Sequence, residues 1–136
     1  MPIDHTGISV PVSKLATVVA WYEAALKPVG YKKSQTLGEN GEYVGFSDVP
    51  TATGTGGGRC DWWIGGVPDG GETYKGNFAF SAKDRATVDA FYAAGIAAGG
   101  KDNGAPGLRE HSSPSYYGAF VADPVGNSIS VVCYDS

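Results

Sequence analysis

Along this chain, apolar and polar positions alternate, then cycle at helical spacing, then alternate again, and they do so twice. Over residues 3–10 the alternation puts Ile8 and Val10 on one face, the period of a half-buried strand. Leu15, Val18, Val19, Tyr22, Leu26 and Val29 then recur every three or four residues. They predict one apolar face of a helix that Ser13 caps and Gly30 stops. Strands are predicted over residues 31–37 and 42–48, joined through Asn40-Gly41, a strong hairpin signal, and a further strand over residues 60–64. The second half opens with a strand over residues 76–82. Ser81 and Asp84 resemble a capping box before a helix that carries Val88, Phe91 and Ile96 and stops at Gly99-Gly100. A short strand near Lys101, a strand over residues 116–122, a turn over 123–126 and a strand over 128–134 complete the pattern. Each half predicts βαβββ.

The two halves also agree in register. In the helices Trp21 matches Phe91, Tyr22 matches Tyr92 and Gly30 matches Gly100, an offset of 70. In the first strands His5 matches Asn77 and Ile8 matches Phe80, an offset of 72, so the first copy has two extra residues between strand and helix. Two copies are too few for a solenoid. The expectation is one pseudo-symmetric α+β domain over residues 1–136, with a first module near 1–68 and a second near 72–136.

Composition narrows the classes. Of the 136 residues, 42% are hydrophobic and 18% charged, which argues for a packed core and against disorder. The net charge is −4 and the basic residues are scattered, so no nucleic-acid stripe is expected. The start of the chain has no basic residues ahead of an apolar run, and the longest apolar run is too short for a bilayer. No secretory signal and no membrane association are expected, and a cytoplasmic location follows. Cys60 and Cys133 can pair, but buried thiols suit their aromatic and β-branched neighbours better. The glycines of residues 54–58 and 65–71 read as loops. "GTGGG" lacks the Lys-Ser/Thr of a phosphate-binding loop, and no helix signal follows it.

Ile3-Asp4-His5 opening a strand, Ala20-Trp21-Tyr22 in the first helix, and "DPVGNSISVV" near the end resemble the glyoxalase / bleomycin resistance protein / extradiol dioxygenase superfamily, the vicinal oxygen chelate proteins. "DNGAPGLREHSSPSYYGAFVADPVGN" is similar to a glyoxalase-like subgroup of it. The resemblance spans essentially the whole chain. It implies paired βαβββ modules that curl a mixed sheet around a cavity. It also implies a divalent metal in many members, held by His or Gln on the first strand and Glu on the last strand of each module. A homodimer is a further implication.

Carried onto this sequence, the pattern departs from that ligand set. His5 matches the first position. Asn77 stands where the second module usually has His, and Ser130 stands where Glu is usual. The remaining position falls over residues 61–63, either Asp61 or one of Trp62 and Trp63. A transition metal wants imidazole, thiolate or carboxylate, and an amide and a hydroxyl supply none of its charge. No cofactor is therefore expected. A divalent Zn, Ni, Mn or Fe ion, with His5 and Asp61 as ligands, is the alternative.

Each candidate residue also has a plainer role. His5 can be a hydrogen-bonded strand histidine, and Asn77 and Ser130 can be satisfied polar groups lining a wet cavity. Trp62 and Trp63 are adjacent on a strand and so face opposite sides, one towards a cavity and one beneath a helix. Tyr116 and Tyr117 split likewise. Arg109 either clamps an anionic ligand or is a solvated loop arginine. His111 is the other imidazole able to act as acid or base near neutral pH.

Three functions follow. The first is a metal-free protein that binds a small aromatic or polycyclic molecule among His5, Asn77, Ser130, Trp62, Trp63, Arg109 and Tyr117. The alternative is an enzyme of lyase, isomerase or dioxygenase type. It would use substituted metal ligands, or His5, Tyr117 and His111 as acid and base. The third is a structural protein whose cavity its own side chains fill.

Overall fold

A computed structural model describes residues 3–48 and 60–134, and the glycine-rich loop expected over residues 54–58 lies outside them. The first module contains β1 (Thr6–Pro11), α1 (Leu15–Leu26), β2 (Lys32–Leu37), β3 (Tyr43–Ser47) and β4 (Trp62–Val67). The second contains β5 (Asn77–Ser81), α2 (Arg85–Ala97), β6 (Lys101–Leu108), β7 (Tyr117–Ala122) and β8 (Ser128–Cys133). Each module forms its own four-stranded mixed sheet, in the orders β1-β4-β3-β2 and β5-β8-β7-β6. The first strand of each module runs parallel to the last, and the other neighbours are antiparallel.

The helix boundaries differ from the expected ones for local reasons. Ser13 does not cap α1. It lies in a 3-10 turn, Val12–Lys14, and its backbone N–H donates to Asp69 Oδ1 at 3.1 Å. The α-helix ends at Leu26 because Pro28 has no N–H to continue it. A 3-10 turn then closes on Gly30 at φ 94°. In the second module Asp84, not Ser81, is the cap, and it accepts the Thr87 N–H at 2.8 Å. The β2–β3 connection is longer than an Asn-Gly hairpin: Gly41 N–H donates to Gly38 O, and Glu42 accepts the Asn40 N–H at 2.9 Å. The strand expected to be short near Lys101 runs eight residues, with bulges that let edge strand β6 carry Pro106.

Both modules contribute to one buried cluster. It includes Val10, Tyr22, Trp62 and Ile64 from the first and Phe80, Val88, Phe91 and Val131 from the second. The two helices touch through Trp21, whose indole N–H donates to Gly95 O at 2.9 Å. The Gly99-Gly100 pair divides its work. Gly99 takes the left-handed turn at φ 106°, whereas a Cβ at Gly100 would lie 2.6 Å from Val121 and 2.8 Å from the Trp21 indole nitrogen. Cys60 and Cys133 are both buried.

A buried polar knot ties α1 to the β7–β8 turn. The Asp123 carboxylate accepts from the Tyr22 hydroxyl, from Asn127 Nδ2 at 2.8 Å, and from the backbone N–H groups of Val125 and Asn127 at 3.0 and 2.8 Å. Asn127 in turn accepts the Gly76 N–H at 2.7 Å, which fixes the entry to β5.

These hydroxyls set a pH dependence. Burial first, then the neighbouring carboxylate of Asp123, pushes Tyr22 above the ordinary 10.0, and burial followed by Asp61 does the same to Tyr31. The folded chain holds both protonated where the unfolded chain would release a proton. Their contribution is whole below the ordinary value and is lost as pH rises through it towards the folded values. The urea midpoint should therefore hold steady from neutral pH and fall above about pH 10. A midpoint unchanged well above that pH would contradict this.

Candidate functional site

A pocket of about 600 Å³ lies where β1 and β4 begin and β3 ends, beside β5. The location follows from the topology. The parallel β1–β4 pair brings the starts of two strands together, with the Thr6 N–H donating to Asp61 O at 2.9 Å, and β5 passes the same end.

Four residues singled out in the sequence line this pocket: His5, Asp61, Trp62 and Asn77. His5 stands at an exposed margin, its side chain 62% accessible, with Nδ1 2.8 Å from Asp4 Oδ1. Asp61 Oδ2 accepts the Tyr31 hydroxyl at 3.0 Å, while Oδ1 is buried and has no hydrogen-bond donor among the described residues. Trp62 is 1% exposed, and its indole N–H likewise has no acceptor among the described residues. Its ring packs edge-on to Phe78 and Phe80, with centroids 4.9 and 5.3 Å away. Asn77 is exposed at the start of β5.

The other candidates lie elsewhere. Ser130 is buried, its hydroxyl 3.4 Å from Phe78 O. Trp63 turns to the opposite side from Trp62, with its indole N–H donating to Cys60 O at 3.1 Å. Tyr117 faces α2, where its hydroxyl donates to Asp89 Oδ1 at 2.7 Å and the Arg85 guanidinium covers its ring. Arg109 folds over Phe120 and donates to Ala105 O at 2.6 Å. His111 is exposed in the turn between β6 and β7.

The strand pairing settles the register left open over residues 61–63. Gly7 pairs with Trp63, and Ala79 pairs with Ser130. Gly7 and Ala79 are related by the same offset of 72 as His5 and Asn77. Trp63 is therefore the structural counterpart of Ser130. Among the described residues no three His, Cys, Asp or Glu side chains gather as a metal-binding group.

Sequence reasoning missed Tyr31, Asp48, Phe78 and Phe80, all of which line the pocket. Phe78 and Phe80 carried a usable signal, since they alternate with the polar and small residues of β5. Tyr31 and Asp48 carried none. They flank strand ends, and only the sheet order brings them together. Beside them, burial first and then Asp61 push the Cys60 thiol upward from its ordinary value.

Paired βαβββ modules, each closing a parallel first-to-last strand pair, make this a glyoxalase-like fold. No family model and no curated protein matches the sequence. Solved structures do match. A glyoxalase/bleomycin resistance protein from Albidiferax ferrireducens is 25% identical, covers 94% of this chain and 96% of its own, and superposes with a TM-score of 0.69. A putative glyoxalase from Bacillus halodurans is 19% identical over 96% of this chain and 94% of its own, with a TM-score of 0.66. A lactoylglutathione lyase from Agrobacterium tumefaciens is 19% identical over 98% of this chain and 95% of its own, with a TM-score of 0.61. The chain is a member of the glyoxalase/bleomycin resistance/dioxygenase superfamily, the vicinal oxygen chelate proteins. Among the described residues no helix is long and apolar enough to cross a membrane.

Proposed function

We propose that this chain binds a small aromatic molecule in the pocket beside β5, without a metal ion. The observation that carries the reading is an aromatic wall beside a carboxylate whose second oxygen is unmet. Tyr31, Trp62, Phe78 and Phe80 supply the wall, and Asp61 Oδ1 is buried without a partner among the described residues. Buried polar atoms are ordinarily satisfied, so an unmet carboxylate oxygen on a lining residue marks a place that favours a ligand donor. The pocket also falls in the size range of small-molecule sites.

The donor set does not fit a divalent metal. The four positions that the superfamily uses hold His5, Trp63, Asn77 and Ser130. They offer one imidazole, an indole, an amide and a hydroxyl that leans on a backbone carbonyl. One good donor and no carboxylate cannot replace the hydration of a dication.

Ala79 lines the pocket and is exposed on β5, so Ala79→Phe fills the space without touching the core. Thermal-shift screening of neutral aromatic and polycyclic compounds in the presence of chelator should yield stabilising ligands. Those shifts should vanish in Ala79→Phe. Ligands that stabilise both proteins equally would place binding outside this pocket and defeat the proposal.

A second reading, metal-independent acid–base catalysis, is favoured by one contact, the His5–Asp4 pair at the pocket margin. It predicts substrate turnover that His5→Gln abolishes while binding persists. Binding without turnover in the unmodified chain would count against it.

A further inference from the structure

We infer that the preferred occupant of this pocket is a cation, an aromatic amine protonated at neutral pH, with its ammonium group at the Asp61 carboxylate. The inference rests on the binding reading above and adds the charge of the ligand.

Asp61 supplies the main argument. One carboxylate oxygen already has the Tyr31 hydroxyl, and the other is buried with no donor among the described residues. An ammonium would give that carboxylate a charge-assisted hydrogen bond, roughly twice as strong as a neutral one. A carboxylate on the ligand would meet like charge instead, and a neutral ring would leave the oxygen unmet.

The surroundings repeat the preference. Asp48 is a second carboxylate on the pocket lining, and among the described residues no Lys or Arg lines it. His5 is the one side chain there able to carry positive charge, and it is directed at Asp4. Basic side chains gather at a different depression, where Lys14, Lys75 and Lys101 come from three separate segments. Burial first, then Asp61 and lastly Asp48, raise the Tyr31 hydroxyl above its ordinary value, and that hydroxyl donates to Asp61 Oδ2 at 3.0 Å. Trp62, Phe78 and Phe80 also line the pocket, and a cation is attracted to the face of such a ring. The net charge of −4 draws cations towards the protein from a distance.

The test compares three indoles of nearly equal size on the unmodified chain by calorimetry: tryptamine, tryptophol and indole-3-propionate. Tryptamine should bind more tightly than tryptophol by about tenfold or more, with the propionate weakest. Asp61→Asn keeps an acceptor for Tyr31 and removes the charge. It should erase the tryptamine advantage and leave tryptophol affinity unchanged. Tryptophol or the propionate binding as tightly as tryptamine, or no saturable tryptamine binding, would overturn the inference. The comparison on the unmodified chain stands even if Asp61→Asn folds poorly. The separate Ala79→Phe screen uses neutral ligands, so it judges the binding reading independently of charge.

Discussion

Asp123→Ala should lower the stability of the fold by about 3–5 kcal/mol, the range for breaking a buried, hydrogen-bonded charge network. Asp123 is 4% exposed, and its carboxylate is the shared acceptor of the Tyr22 hydroxyl, the Asn127 amide and two backbone N–H groups. Removing it leaves four donors without an acceptor where water is excluded, and each such loss is costly. The damage should spread beyond the turn. Tyr22 belongs to α1 in the first module, and Asn127 holds Gly76 at the entry to β5. Urea denaturation followed by tryptophan fluorescence measures the loss, since Trp21 and Trp62 both pack near Tyr22. Asp123→Asn can still accept some of these bonds, so it should cost clearly less. Equal losses for Ala and Asn would mean that charge and hydrogen bonding are not what this residue contributes.

Trp62→Ala should cost a similar amount, about 3–5 kcal/mol, through lost burial and the cavity left behind. Its ring meets Tyr22 of the first module at 5.4 Å and Phe78 and Phe80 of the second at 4.9 and 5.3 Å. Edge-to-face contacts of this kind add to simple area burial. Because the ring bridges the modules, both should unfold together, with a single transition at a lower midpoint. The substitution also removes a pocket wall, so ligand stabilisation should disappear with it. Two separated transitions, one near the original midpoint, would show that the modules are held independently of Trp62.

The repeated architecture was legible because it is written in periodicity and in paired landmarks. Trp21 and Phe91 are both buried on the helix faces, as their matched positions imply. The opposite facing of Trp62 and Trp63 was also legible, because strand geometry alone fixes it. Capping was less so. Ser81 and Asp84 are both plausible caps by type, and the choice depends on where β5 ends. The pocket was only half legible. His5 and Asn77 could be matched through the repeat, but Tyr31 and Asp48 meet Asp61 only through the order of strands in the sheet. Tyr117 illustrates the reverse difficulty. It looked available for chemistry until α2 supplied Asp89 and Arg85 as its partners.

The most direct test of a metal-free pocket beside β5 is amide chemical-shift mapping with a ligand from the aromatic screen, recorded in chelator and again with a divalent metal added. The account predicts perturbations centred on Tyr31, Asp61, Asn77 and Ala79, the same in both samples. Perturbations centred on Ser130, Phe120 and Arg109, or binding that begins only when metal is added, would contradict it.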